Sequence, residues 1–393
     1  MKVFVALFVF FVFAGCGEPD GSDKQNIEKN DASPDFTDDN INESGEDNEE
    51  NQDIEKNDSD EDFFELPDFT GNSEENSDLD LKPVEDPVLI DFDCSFDVEF
   101  KECSKYKRPV STVTLKNPDL MEISGVAVSY INPGILWVHN DSGGEPALFA
   151  IRYDGSIAAK LTLVGIENID WEDITLAHCG CFECFYIGDI GDNLLKRDDY
   201  SIITVLEPIL PQNSSNLELS TEYWIRFPIS YEGTPHMNSE AMAADHNGSM
   251  YIFSKEIGIT NVYKADISDL NMVGTEFKFI GSIETGKYVT GYPDIAQPSL
   301  VTAADIHRNG TRLLLRTYGI ITSEDDSIRE FYFEKGNVEE IFSQTPEMVP
   351  KGREIQGEAI GYNPFTGGYV HISEYYKKGI EFFPDIWVVE CND

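Results

Sequence analysis

The chain has 393 residues, with 74 Asp and Glu against 28 Lys and Arg, for a formal net charge of −46. A surplus of that size repels phosphate backbones and anionic headgroups, which excludes partners held by attraction to basic patches, nucleic acid first among them. Hydrophobic residues make up 40% of the chain and are unevenly spread, so a packed core is expected in one part of it and not in another.

In chain order the first element is a leader. Lys2 provides a positive n-region, and Val3 to Phe13 is an apolar run too short to span a bilayer. Phe13-Ala14-Gly15-Cys16 follows and resembles the lipobox of bacterial lipoproteins, with Phe13 where Leu is usual. The resemblance implies cleavage before Cys16, acylation of that cysteine and a multiply acylated membrane anchor. Residues 1–15 are therefore read as a signal peptide. The expected location is the bacterial outer membrane or cell surface, because Gly17 and Glu18 do not resemble an inner-membrane retention signal.

Residues 16–91 are read as a tether. From Gly17 to Asp91 there are 28 acidic residues against 4 lysines, a net of −24, and few apolar side chains. Such a segment buries too little apolar surface to offset ordering entropy, so disorder is expected, extended by like-charge repulsion. Setting Cys16 aside leaves Cys94, Cys103, Cys179, Cys181, Cys184 and Cys391, an even number in an oxidising compartment, which favours disulfides. Cys94–Cys103 would close a short loop, and one of Cys179, Cys181 and Cys184 would reach Cys391. Zinc on those three close cysteines is the alternative.

From residue 92 to 393 the text turns to short β-branched and aromatic runs separated by Gly, Asn, Asp and Pro, the pattern of an all-β domain. One unit recurs: a polar residue and small residues opening a strand, then a turn, then an apolar strand ending in polar residues. Its copies open at Ser124, Trp171, Ser239, Val301 and Gly357. A repeated sheet of this kind predicts a five-bladed β-propeller, with six blades as the alternative if the stretch from Phe277 to Pro298 hides another. Val110 to Leu115 is expected to supply the outer strand that the last copy lacks, so that the ring closes through an N-terminal strand.

The first strand of every propeller blade lines the central channel. Aligning the copies puts Ser124, Glu172, Glu240, Thr302 and Glu358 at one mouth. Clustered carboxylates repel, and a hard cation relieves them. With oxygen donors only and no His or Cys, Ca2+ is the expected metal. Second strands end near the same mouth and bring Asp141, Asp189, Asp192, Asn193, Lys255, Arg316 and Glu374. In a catalytic reading, Lys255 and Arg316 grip a phosphoryl group and Asp141 or Asp189 is the base. In the other reading the same groups are an ion-pair network. The histidines show no metal spacing, and neither a Gly-x-Ser-x-Gly elbow nor a Walker loop is present.

The order hydroxyl, Glu, Glu, hydroxyl, Glu resembles the calcium-activated nucleotidases (apyrases), which implies a five-bladed propeller with calcium on its axis. Ile123-Ser-Gly-Val and Val138-His-Asn-Asp-Ser-Gly143 resemble that family's opening and turn, and Asp170-Trp-Glu172 and Gln356-Gly-Glu358 its later segments. Thr302 stands where Ser is usual and Ser142 where Arg is usual. Gly188-Asp-Ile-Gly-Asp-Asn193, Leu315-Arg-Thr-Tyr318 and Gln356-Gly-Glu-Ala-Ile360 are similar to segments of uncharacterised secreted bacterial propellers labelled phytase-like or WD40-like. The expected function is a calcium-centred, envelope-anchored binding module for a small molecule, glycan or envelope protein, monomeric and held to the membrane through Cys16. The alternative is a calcium-dependent phosphoester or nucleotide hydrolase.

Overall fold

The computed structural model describes residues 100–392 apart from 246, 290–291, 298, 320–326 and 378–380. The leader, Cys16, the tether, Cys94 and the boundary at residue 92 lie outside the described residues.

The opening of each repeat forms a strand: Ile123–Val128, Trp171–Cys179, Ser239–Ala244, Ser299–Ile306 and Gly357–Tyr362. Each pairs antiparallel with the apolar run that follows it: Ile135–Asn140, Phe182–Asp189, Ser249–Ser254, Arg312–Gly319 and Tyr369–Ser373. A third strand joins each sheet: Ala147–Arg152, Ser201–Leu206, Ile259–Asp266, Ser327–Tyr332 and Asp385–Val389. Ile157–Leu163, Trp224–Tyr231, Thr275–Glu284 and Glu347–Val349 are outer strands.

The last sheet takes its outer strand from the other end of the chain, where Val110–Thr114 pairs antiparallel with Asp385–Val389. Every inner strand packs beside two others: Ile123–Val128 beside Trp171–Cys179 and Gly357–Tyr362, and Ser239–Ala244 beside Trp171–Cys179 and Ser299–Ile306, which in turn meets Gly357–Tyr362. That neighbour relation closes on itself, so small residues (Gly, Ala, Ser) crowd one axis while larger side chains fill the wedges between sheets. The architecture is a β-propeller. The stretch after Phe277 completes an outer strand and then forms a two-stranded hairpin, Lys287–Val289 with Tyr292–Gln297. Two parallel pairings stitch the periphery: Ile229–Tyr231 with Thr275–Phe277, and Ala159–Leu163 with Leu217–Thr221.

Cysteine pairing differs from the sequence expectation. Cys103 bonds Cys391, Cys179 bonds Cys184 across its own hairpin, and Cys181 is also disulfide-bonded. Neither Cys94–Cys103 nor a bridge from Cys391 to the close trio forms. The reason is ring closure: Tyr106 bridges to Cys391 beside the paired terminal strands, which brings Cys103 to the far end of the chain. A bond spanning 288 positions removes a very large loop from the unfolded ensemble.

Trp137, Trp171 and Phe185 fill the space between the first two sheets, with Trp137 and Phe185 edge to face at 5.2 Å. Asp173 is the polar knot of the channel. It is fully buried on one inner strand and accepts N–H bonds from Ile174 at 2.9 Å, from Met242 on the next inner strand at 2.9 Å and from Ala304 on the one after at 3.2 Å. Asp173→Leu would leave those donors buried without an acceptor, at about 1–3 kcal/mol each. The expected loss is about 3–6 kcal/mol in denaturant unfolding, with Asp173→Asn milder because it keeps one carbonyl oxygen.

Candidate functional site

Ser124, Glu172, Glu240, Thr302 and Glu358 are all buried, and all occupy the same structural position. In each inner strand the pairing register breaks across that residue: Ile123/Gly125, Trp171/Asp173, Ser239/Ala241, Val301/Ala303 and Gly357/Ala359. Each is the extra residue of a β-bulge, freed from ladder pairing and from strict in–out alternation. The repeat therefore encodes a re-aimed side chain at the channel end of every blade.

The hydroxyls act as stitches between neighbouring inner strands. Ser124 Oγ donates to Glu172 O at 2.6 Å, and Thr302 Oγ1 donates to Gly357 O at 2.7 Å. The three glutamates have different surroundings. Glu240 holds Lys255 Nζ at 2.5 Å, and that ammonium lies 5.4 Å from the Tyr318 ring centroid. Glu358 has an Oε2 without a hydrogen-bond partner among the described residues. Glu172 converges with Asp141 and Asp170, one ligand atom from each lying within 4.8 Å of the others. Among the described residues no other set of three His, Cys, Asp or Glu groups meets that distance, so Glu240 and Glu358 stand outside the triad.

Local structure explains the convergence. Asn168 Nδ2 donates to the carbonyls of Asn140 and Asp141 at 3.0 and 2.9 Å, while its Oδ1 accepts from Trp171 N at 3.1 Å. It clamps the end of one second strand to the start of the next inner strand. Asp170 O accepts the N–H groups of Ile190 and Gly191, each at 3.2 Å. Gly191 is required there, because a Cβ would overlap the carboxylates of Glu172 and Asp170. Ser124 Oγ lies 3.4 Å from Glu172 Oε2.

The electrostatics follow from burial. Glu172 is pushed well above the usual carboxylate range by desolvation, then by repulsion from Glu240 and Asp141. Asp170 rises to about 6, by burial and then the Asp141 charge. Glu374 rises to about 8, by burial, then Asp141 and Glu122. Burial also raises Glu240 against the opposing pull of Lys255.

The remaining sequence candidates are engaged with other groups. Asp189 is buried and bound by Arg197 Nη2 at 2.7 Å, with Arg226 at 3.7 Å. Asp192 accepts from Lys196 N and Arg197 N at 2.9 Å and from Tyr200 OH at 2.6 Å, so Gly188–Asn193 is a stapled turn. Arg316 is 1% exposed and ion-paired with Glu354, which also meets His371. A Cβ at Gly357 would overlap the Arg316 guanidinium, so a glycine opens that blade. Reasoning from the sequence missed Asp170, Asn168, Arg197 and Glu354. Asp170 lies two residues before Glu172 in the sequence but ahead of the strand, where alternation gives no signal.

No known family model matches the chain, and no curated protein matches it. Solved structures with some likeness include an endo-arabinase from Bacteroides thetaiotaomicron, at 11% identity and a TM-score of 0.42, covering 74% of this chain and 99% of that one. An alpha-L-arabinofuranosidase from Lactobacillus brevis has 12% identity and a TM-score of 0.41, covering 69% and 92%. The Dos1 propeller has 12% identity and a TM-score of 0.31, covering 69% and 68%.

Two outcomes follow. A carboxyl group whose folded pKa is raised stabilises the fold below its unfolded value near 4 and loses that contribution as pH climbs to the folded value. With chelator present, the melting temperature is expected to fall as pH rises from about 4 through about 8, the value to which Glu374 is raised. Scanning calorimetry across that range checks it. Second, Arg316→Met leaves Glu354 buried without its guanidinium and is expected to cost about 3–5 kcal/mol in chemical unfolding.

Proposed function

We propose that the chain is an exported lipoprotein whose five-bladed propeller binds one divalent cation, calcium, at a channel mouth and serves as a ligand- or protein-binding module. The observation that carries this reading is the convergence of Asp141, Asp170 and Glu172. None of the three has an ion-pair partner among the described residues, whereas Asp189, Glu240 and Glu354 each have one. Carboxylates held this close either hold protons or take a counter-charge, and an all-oxygen donor set suits a hard cation. Ser124 would add a hydroxyl oxygen. Calcium takes six to eight oxygens, so such an ion would keep coordination positions for a ligand. The count of five blades rests on the closed cycle of inner strands and on the terminal strands sharing one sheet.

Three of the four groups named for hydrolysis are tied up in the fold, and the fourth, Asp141, belongs to the cation triad. Lys255 is bound to Glu240, Arg316 to Glu354 and Asp189 to Arg197. We therefore place the binding module ahead of phosphoester hydrolysis, and a panel of phosphate esters is expected to yield no turnover at millimolar calcium. The direct test is elemental analysis with thermal melting of the full chain. One calcium per chain is expected, lost in Asp170→Ala. At a hundredfold excess over the dissociation constant, calcium should stabilise the fold by about 2.7 kcal/mol. A chain that retains no calcium and melts identically in chelator sinks the reading.

A further inference from the structure

At the same mouth, within reach of the Asp141 charge, lies a second set of carboxylates. Glu358 is 4% exposed, and its Oε2 has no hydrogen-bond partner among the described residues. Glu374, also buried, directly follows Ser373, the last residue of the strand paired with it. Glu374 N donates to Gln356 O at 3.1 Å, and Gln356 Nε2 donates to the Glu374 carboxylate. Gln356 does this at φ 56°, a left-handed conformation disfavoured for any residue with a Cβ. Strain of this kind persists where surrounding contacts impose it and concentrates at functional sites. Here it fixes the approach of Glu374 to the bulge that carries Glu358.

A desolvated carboxylate oxygen without a donor is costly, and its surroundings identify the missing group. Glu374 and Glu240 are the acidic neighbours of Glu358, with Lys255 and Arg316 as the cations in range. Both cations are engaged, Lys255 by Glu240 and Arg316 by Glu354. Lys255 also shows what this mouth accommodates: an ammonium between a glutamate at 2.5 Å and an aromatic ring at 5.4 Å. A divalent ion is a poorer match on this side, since among the described residues no third His, Cys, Asp or Glu completes a set with Glu358 and Glu374. An ammonium carries three N–H donors and needs only acceptors at hydrogen-bond distance.

We propose that Glu358 and Glu374 form a subsite for the ammonium group of a primary-amine ligand. The subsite shares no side chain with Asp141, Asp170 and Glu172, and it does not depend on the divalent-ion reading. A ligand bearing an amine at one end and a polar group at the other would lie across the mouth, its amine on this pair.

Calorimetric titration of the full chain at physiological salt tests the assignment, using 1,4-diaminobutane and tetramethylammonium as probes, each with calcium and with chelator. Diaminobutane is expected to bind in both conditions. Tetramethylammonium has the charge but no N–H and is expected to bind at least about tenfold more weakly. Glu358→Gln and Glu374→Gln should each weaken diaminobutane at least about tenfold, with calcium uptake retained in Glu374→Gln. Should Glu358→Gln fail to fold, Glu374→Gln decides. Equal affinity for the two cations, no diaminobutane binding at millimolar concentration, or wild-type affinity in the folded variants overturns the proposal. A wild-type chain that takes up no calcium yet binds diaminobutane counts against the triad and supports the amine subsite, whereas loss of calcium uptake in Glu374→Gln alone overturns the separation of the two sites.

Discussion

Carboxylates withdrawn from water around one axis are the constraint on which the rest of this molecule depends. Each needs a positive or hydrogen-bonding partner, and the ring supplies a different one at each level. Asp173 takes backbone N–H groups from two other inner strands as well as its own. Glu240 takes the Lys255 ammonium, and Glu354 takes Arg316 and His371. Asp189 takes Arg197. Against these satisfied groups, the triad at Asp141, Asp170 and Glu172 and the bare Oε2 of Glu358 stand apart as places where something from outside the chain has a physical reason to sit.

The bulge is the device that makes this possible. A regular strand would send alternate side chains up and down along the channel wall. One extra residue at the start of each inner strand breaks the ladder there, and the same break recurs in every sheet. Two of the five positions carry hydroxyls that stitch an inner strand to its neighbour, and three carry glutamates. The stitching and the charge are thus two uses of one backbone feature, and the glycines at 191 and 357 mark where side chains from elsewhere press against it.

The repeat was legible because its signal is local. Period-two alternation, small residues at the blade openings and turn residues between strands marked the inner strands, the apolar strands that follow them and the closing strand at Val110–Thr114. The outer strands were harder, since their faces are half exposed and alternate weakly, as in Leu217–Thr221. Pairings between blades were not legible at all. Glu354 lies in the connection ahead of the last inner strand, outside the repeat, so nothing in the alignment couples it to Arg316. Asp170 precedes its strand, and its role depends on the Asn168 clamp, which joins segments 27 residues apart. The disulfides failed for the same reason: Cys103 is adjacent to Cys391 only because the ring closes.

The division of charges also bears on what kind of protein this ring makes. A catalytic cation has to stand where charge develops with a donor left to give, and a general base needs a lone pair free to take a proton. Releasing Arg316 would strand Glu354 in the interior, and releasing Arg197 would do the same to Asp189, each at a cost of several kcal/mol. Those ion pairs hold blade to blade and turn to strand, so using them in a reaction would work against the fold. The groups left uncommitted are acceptors, oxygen atoms already fixed in place by bulges and clamps. Fixed acceptors with little to reorganise suit the capture of a cation or an ammonium, because the ordering cost has been met in folding rather than at the moment of binding.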